Sequence, residues 1–517
     1  MKNRPSIRLL TFLLALLMLL GTLSACNGES NPGTQTDTEN TSGTESETES
    51  KGTESNSESD DDTINSVLNG VQFKNEVIQV FSWTPGNLSE YVETVDENTT
   101  LIDQAVFNRC DKAESRLNLR INWTYVPQNN QFVDTADREN SNGGKYDILA
   151  SVSTHMPVLM SRGTLSNLMR YQYLDFDHEA WPSTLLEDLE VGNKLYFASG
   201  DISPNLIFMT FVLFYNKALM KDLGVNEKLN QMYQVADIYE LVESGKWTYD
   251  KLFELSEGLY LDVNNSGSKD LGDRFAYLTY EARFDDFFYG AGCTIVSADN
   301  DSYAISDRFQ DAIYIGDVLE DANRFIHSTN DGYIGPEYTK VRDEFVAGRV
   351  LFSPAPASHA WNTYSNLEGL EYGALPNPKW SESQTAYSTA QSIQFTMYSV
   401  ASQSKNSIAS AALIQALAEE ANAYTRPACF DKLMKGRYAE DPEDARMWEY
   451  AVDANVFDMA RFFVKLYQEN QGITPENLFR ERMLNNNNNW SGVLDSYIVP
   501  LTIYTATLSG EIAVLPD

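Results

Sequence analysis

Apolar residues fall along this chain in two rhythms, a period of two and a period near 3.6, and the switches between them mark out elements. Val77-Ile78-Gln79-Val80-Phe81 reads as a strand that ends at Trp83 and the Pro85-Gly86 turn. From 101 to 117, Leu101, Ala105, Val106, Ala113 and Leu117 keep helical spacing, and Leu119 to Val126 returns to strand-like alternation. Tyr146-Asp147-Ile148-Leu149-Ala150 predicts a further strand, running into the polar turn Ser151 to Thr154. Arg349 to Ser353 reads as a strand followed by a Pro/Ala/Ser-rich loop that leads to Trp361. Strands alternating with helices imply an α/β fold with a largely parallel sheet, where ligands gather beyond the strands' carboxyl ends.

One apolar run does not belong to this pattern. Leu9 to Leu20 follows Lys2, Arg4 and Arg8 and is broken by Gly21 and Thr22. It is short of the roughly 20 residues that span a bilayer, and the small residues Ser24 and Ala25 after it complete a secretory signal over 1–25. Leu23-Ser24-Ala25-Cys26 resembles a bacterial lipobox, which predicts lipidation of Cys26 and membrane attachment through that lipid alone. An ordinary signal peptide with Cys26 as a bystander is the alternative. From Asn27 to Asp62 there is no aromatic or aliphatic residue, so burial cannot offset the entropy of ordering. The expectation for 26–70 is a lipidated cysteine and a flexible acidic tether, with folded sequence starting near Val71.

Charge narrows the class of partner. The formal net charge is −36 over 517 residues. The first 25 residues carry +3 and residues 27–62 carry −10, which leaves −29 on the remainder. Nucleic-acid binding requires clustered Lys and Arg, so an acidic body argues against it. Beyond Cys26 only Cys110, Cys293 and Cys429 remain, with no C-x-x-C, so neither a disulfide framework nor a zinc site is expected.

A family resemblance rests on the ordered succession of several stretches. They are Gly163-Thr164-Leu165-Ser166-Asn167-Leu168, then Lys194-Leu195-Tyr196-Phe197-Ala198-Ser199-Gly200-Asp201, then Phe214-Tyr215-Asn216-Lys217-Ala218-Leu219. Gly245 to Leu252 continues it as a helix with Thr248 at its cap position, followed by Phe345 to Val350, Tyr372 to Trp380, Ser381 to Thr389, the Ala411 to Ala421 helix and Tyr438 to Asp441. This succession resembles extracellular solute-binding proteins of carbohydrate ABC importers, over nearly everything from residue 71 onward. Ala180-Trp181-Pro182 and the asparagine run Asn485 to Asn489 depart from it. The resemblance implies a periplasmic-binding-protein-like fold, with two α/β lobes joined by a hinge and the ligand between them. It places lobe one at 71–205 plus 380–420 and lobe two at 206–379 plus 421–517. It also implies a monomer at the outer face of the cell membrane that passes a sugar or oligosaccharide to an ABC permease. A surface-anchored carbohydrate-active enzyme and a glycan-binding adhesin or sensor are the alternatives.

Two constellations could carry chemistry. Asp262, Asn264, Ser266, Ser268, Asp270 and Asp273 set oxygen donors at loop positions 1, 3, 5, 7, 9 and 12 around Gly267, with Ser268 contributing its backbone carbonyl. Calcium needs six to eight converging hard oxygens and a glycine for the sharp turn, so a structural calcium ion is expected there. Sugars stack their C–H faces on flat rings and bind their hydroxyls to planar polar groups. Trp83, Asp201, Tyr289, Trp361 and Tyr387 are the candidates, with Trp83 and Trp361 first because both follow a strand and are expected in loops between the lobes. Relatives of this kind often hold an aromatic against the sugar at the stretch containing Trp361. No G-x-S-x-G elbow, P-loop or G-x-G-x-x-G occurs, and no organic cofactor or catalytic residue is expected.

Overall fold

In the computed structural model, residues 66–126, 131–299 and 301–516 are described. The signal segment, Cys26 and most of the tether lie outside them. In chain order the strands of the two main sheets are β1 (Glu76–Trp83), β2 (Leu119–Val126), β3 (Ile148–Val152), β4 (Phe211–Asn216), β5 (Phe275–Thr279), β6 (Gly332–Ile334), β7 (Val350–Pro356), β8 (Tyr372–Leu375) and β9 (Thr396–Val400). The first sheet runs β9-β3-β1-β2 and the second β8-β4-β7-β5-β6.

In the first sheet β1 lies parallel to both β2 and β3, and only β9 is antiparallel, with Thr396 opposite Val152. The chain returns from β1 to β2 through the Leu101–Leu117 helix, as a parallel crossover requires. That helix starts where Thr100 accepts the amide of Asp103 and stops where Asn118 turns left-handed at φ 50°. Its inner face, with Ile102, Val106, Ala113 and Leu117, is buried, and the Ser407–Glu420 helix packs beside it. The central strand β3 and the edge strand β9 are buried at every position, the mark of a sheet covered on both faces. Ser66 and Leu68 are already buried, and Ser66 Oγ donates to both carboxylate oxygens of Glu419 at 2.8 and 2.9 Å. The folded body therefore begins a few residues before Val71.

The second sheet is mixed: β5 is parallel to β6 and β7, while β4 is antiparallel to β7 and β8. All of its strands come from one uninterrupted stretch, 211–375, whereas the first sheet takes its strands from 76–152 and again from 396–400. The chain therefore crosses outward through Ile202–Thr210 and back through 376–395. On the return, Thr389–Ala390 pairs in parallel with Asn455–Val456. After the Ser407–Glu420 helix the backbone widens into π-helical turns, Ala421–Thr425 and Pro427–Met434. The last helix, Ser491–Val514, is the one described helix long and apolar enough to cross a membrane, and a third of that stretch is buried. It lies along the Val296–Asp299/Ser302–Ile305 hairpin with Leu501, Tyr504, Leu508 and Ile512 turned inward.

Two local expectations are corrected. The strand expected to end at Ser353 continues to Pro356, because Phe211 to Tyr215 of β4 pair with Pro356 back to Phe352. Trp361 then sits on a short helix, Ser358–Asn362, and not in a loop. Trp83 is the last residue of β1, held in the ladder opposite Val126, and is also not in a loop.

Candidate functional site

Beyond the carboxyl ends of the two sheets the outward crossing decides what lies where. Pro204–Phe208 is a short helix with proline in its first turn, so its side chains point to opposite sides at helical spacing. On one side Phe208 meets the Trp361 ring edge-to-face, with centroids 6.2 Å apart. Met209 Sδ accepts from Asn87 Nδ2 at 2.9 Å. Asn87 belongs to the loop after β1, and its Oδ1 accepts from Asn362 Nδ2, which follows β7, at 3.1 Å. The loop after β1 thus touches the short helix after β7 directly, with the half-buried Trp361 ring beside the contact. Leu206, Ile207 and Thr210 face the other side, a cavity of about 550 Å³ that Asp201 also lines.

The five candidate residues do not form one cluster. Trp83 is 1% exposed and its indole N–H donates to Thr396 Oγ1 at 2.8 Å. Tyr289 is equally buried, its hydroxyl donating to Asp458 Oδ2 at 2.9 Å, and burial with the facing Asp458 raises its pKa. Tyr387 is half-buried and donates to the Val242 carbonyl at 2.9 Å, with Tyr450 edge-on at 6.1 Å. Asp201 accepts from Asn422 Nδ2 at 2.8 Å and Arg426 Nη1 at 3.1 Å. Burial raises its pKa, and these two partners hold it back. Trp361 alone of the five stands at the contact between the loop after β1 and the helix after β7.

A buried polar network anchors the crossing to the first sheet. Glu90 Oε1 accepts from Ser203 Oγ at 2.8 Å, Asn205 Nδ2 at 3.0 Å and Thr396 Oγ1 at 2.7 Å, and Oε2 accepts from Tyr398 at 2.7 Å. Arg109 lies 3.8 Å from Oε2 and donates to the carbonyls of Glu90 and Ile202, both side chains being fully buried. These contacts hold Ile202 to Asn205 against the first sheet. Asn87, Asn362 and Glu90 escape detection in the sequence because nothing local sets them apart. Only the Pro85-Gly86 turn beside Asn87 hints at a loop end.

Beyond the second sheet the chemistry is ionic. Asp285 takes Arg461 and, in a two-pronged contact, Arg480, whose Nε is 2.7 Å from Oδ1. Burial alone would raise this carboxyl, but Arg480 and Arg461 bring it down to about 2. Neighbouring Asp286 has Arg283 at 3.4 Å, and burial outweighs it, pushing the carboxyl up to about 6.

The 262–273 loop curls around its own oxygens. Asp262 receives the amides of Ser266 and Gly267 at 3.2 and 3.0 Å, and Asn264 Oδ1 receives Ser266 N at 2.8 Å. Asp270 accepts from Asn264 Nδ2 at 2.7 Å and Ser266 Oγ at 2.8 Å. Gly267 has φ +74°, the left-handed turn for which glycine is suited. Asp273 is fully buried; one oxygen takes Tyr260 OH at 2.9 Å and the other has no partner. Among the described residues no three His, Cys, Asp or Glu side chains gather into a metal cluster. The donors are nonetheless all hard oxygens with one carboxylate oxygen unsatisfied, a set that suits calcium.

Two α/β sheets joined by paired crossings, with the connections after β1 and β7 meeting beyond their carboxyl ends, define the periplasmic-binding-protein-like fold. No family model matches the chain, and neither does any curated protein. Solved structures do. A sugar transporter protein from Rhizobium etli in an open conformation aligns with a TM-score of 0.52 at 13% identity, covering 85% of this chain and 100% of that one. The cyclic alpha-maltosyl-1,6-maltose binding protein of Arthrobacter globiformis aligns at 0.51 and 14%, covering 85% and 99%. The galacto-N-biose/lacto-N-biose I-binding protein of an ABC transporter from Bifidobacterium longum aligns at 0.50 and 12%, covering 82% and 98%. At such identities the likeness is one of fold.

Proposed function

We propose that this protein is an extracellular solute-binding protein that captures a sugar or oligosaccharide between its lobes and delivers it to an ABC permease. The observation that carries this reading is the Asn87–Asn362 contact at the carboxyl ends of both sheets, with Trp361 beside it. Each asparagine amide both donates and accepts, as a hydroxyl does, so the pair can exchange its mutual bond for bonds to a sugar. Trp361 offers a partly open ring for the sugar's C–H face. Hinge bending at the crossings would close the lobes over the ligand. The fold relatives' ligands, cyclic alpha-maltosyl-1,6-maltose and lacto-N-biose among them, make oligosaccharides the first to try.

The test is a thermal-shift screen across mono- and oligosaccharides, with peptides as the contrasting set. A ligand that binds only the folded state raises the melting temperature by mass action. A saccharide should do so in the parent and less in Trp361→Ala. A screen in which peptides shift the protein and no saccharide does would replace the sugar with a peptide in this reading.

Two accessory features belong to the same proposal. Cys26 carries the lipid that tethers the protein to the outer face of the membrane; Cys26→Ala should move it from the membrane fraction to the medium. More than one acyl chain is needed for a stable tether. Asp262, Asn264, Ser266, Asp270 and Asp273, with the Ser268 carbonyl, would hold a structural calcium ion that stiffens the 262–273 loop. Calcium added to chelator-treated protein should raise its melting temperature, and Asp262→Ala should remove that gain. No shift at millimolar calcium would leave the loop a plain turn.

A further inference from the structure

The cavity on the far side of Pro204–Phe208 is of ligand size, at about 550 Å³ within the 300–1,000 Å³ common for small-molecule sites. Its lining comes from distant parts of the chain and does not include Asn87, Trp361 or Asn362. The segment before Leu185 and Gly200–Asp201 form one wall, the crossing a second, and Asn422, Arg426 and Asn455 with their neighbours the rest. Asn422 and Arg426 reach it from the π-helical turns that follow Glu420, a kind of backbone distortion frequent at functional sites.

We propose that this cavity is a second ligand site, and that it takes a small aliphatic amine. Asn422 Nδ2 and Arg426 Nη1 both turn onto Asp201, and the Asn455 amide nitrogen goes to Thr210 Oγ1 at 2.9 Å. Glu179 and Asp453 add two exposed carboxylates to the lining. Three carboxylates face a single guanidinium, so an anion is repelled and a ligand rich in N–H donors with positive charge is matched. Leu206, Ile207, Val452 and Phe457 supply apolar wall for its hydrocarbon body. The site and its ligand are independent of whether the opposite side binds sugar.

The probe is 1,5-diaminopentane, with 1,5-pentanediol as its uncharged counterpart, titrated calorimetrically into the full chain at low ionic strength. The diamine should bind with one-site saturation, the diol should not, and added salt should weaken the diamine. Glu179→Gln combined with Asp453→Asn changes only exposed mouth residues and should weaken diamine binding roughly tenfold, as two partly exposed ion pairs allow. Thr184→Trp, at an exposed lining position, should block the mouth and abolish saturable binding. Circular dichroism confirms that both variants are folded. The proposal is overturned if the diamine does not bind, if the diol binds as tightly, or if the double variant binds the diamine unchanged. Diamine binding that survives Thr184→Trp would equally overturn it, marking condensation on an acidic surface.

Discussion

At the carboxyl end of the first sheet the chain buries what it carries: Trp83 is fixed to Thr396, and Thr396 to Glu90, inside a network of mostly neutral donors. At the carboxyl end of the second sheet the chain past β7 turns into a short helix and leaves Trp361 half-buried beside the crossing. The second sheet's charged groups sit beyond β5, where Asp285 and Asp286 face Arg283, Arg461 and Arg480. The first end is built to keep the crossing in place and the second to present a surface to it. The two tryptophans therefore lie in different surroundings, one sealed at the end of a strand and one half-buried on a helix beyond a strand.

The largest effects should come from breaking the first end. Glu90→Ala leaves the Arg109 charge buried without its partner, which should cost about 3–5 kcal/mol in denaturant unfolding. A loss below about 1 kcal/mol would mean that the neutral donors hold the crossing unaided. Trp83→Ala should cost a similar amount, about 3–5 kcal/mol, as truncation of a buried aromatic does.

At the second end the distinguishing effect is pH dependence. Asp286, with its carboxyl at about 6, binds a proton more tightly in the folded chain than in the unfolded one. Its protonation therefore stabilises the fold as pH falls through about 6, and the gain is complete near the ordinary carboxylate range of about 4. Asp285 acts oppositely: its contribution is present above that range and is lost as pH falls toward about 2. Asp286→Asn should remove a stability rise on the order of 1–3 kcal/mol between pH 7 and 4.5, read as the difference between parent and variant melting profiles. Parallel profiles would mean that Asp286 keeps its charge through the Arg283 contact.

Smaller effects should separate the two tryptophans by function. Trp361→Ala should weaken saccharide binding by roughly tenfold, about 1.4 kcal/mol, while costing far less stability than Trp83→Ala. Unchanged affinity with a large stability loss would place Trp361 with Trp83 in the core. Asn362→Ala, which deletes one exposed partner of Asn87, should change affinity by a few-fold, about 0.5–1 kcal/mol, and leave unfolding unaltered. A change in unfolding without a change in affinity would make that contact a latch and not part of the sugar site.

Local pattern was enough for the elements that depend on neighbours in sequence. The Leu101–Leu117 helix and the Leu119–Val126 strand have the bounds their periodicity predicts, because helical and strand spacing are decided by residues within a turn or two. The expected strand at Tyr146 to Ala150 appears two residues later, at Ile148–Val152, since pairing with Val80 to Ser82 and with β9 sets its limits. The α/β class was legible in the same way, as alternation of strands and helices, and the family resemblance added the two-lobe fold.

What the sequence alone could not rank was which polar and aromatic side chains meet. Trp83 and Trp361 have the same local signature, and only their surroundings separate a sealed ring from a half-buried one. Glu90 joins Arg109, Ser203, Thr396 and Tyr398, the last 308 residues away, and Asp201 joins Arg426 across 225. Such contacts depend on how two sheets and their crossings pack. Burial then decides what each group does: in water Glu90 is an ordinary exposed acid, and inside the fold it has to be matched by four donors and a guanidinium.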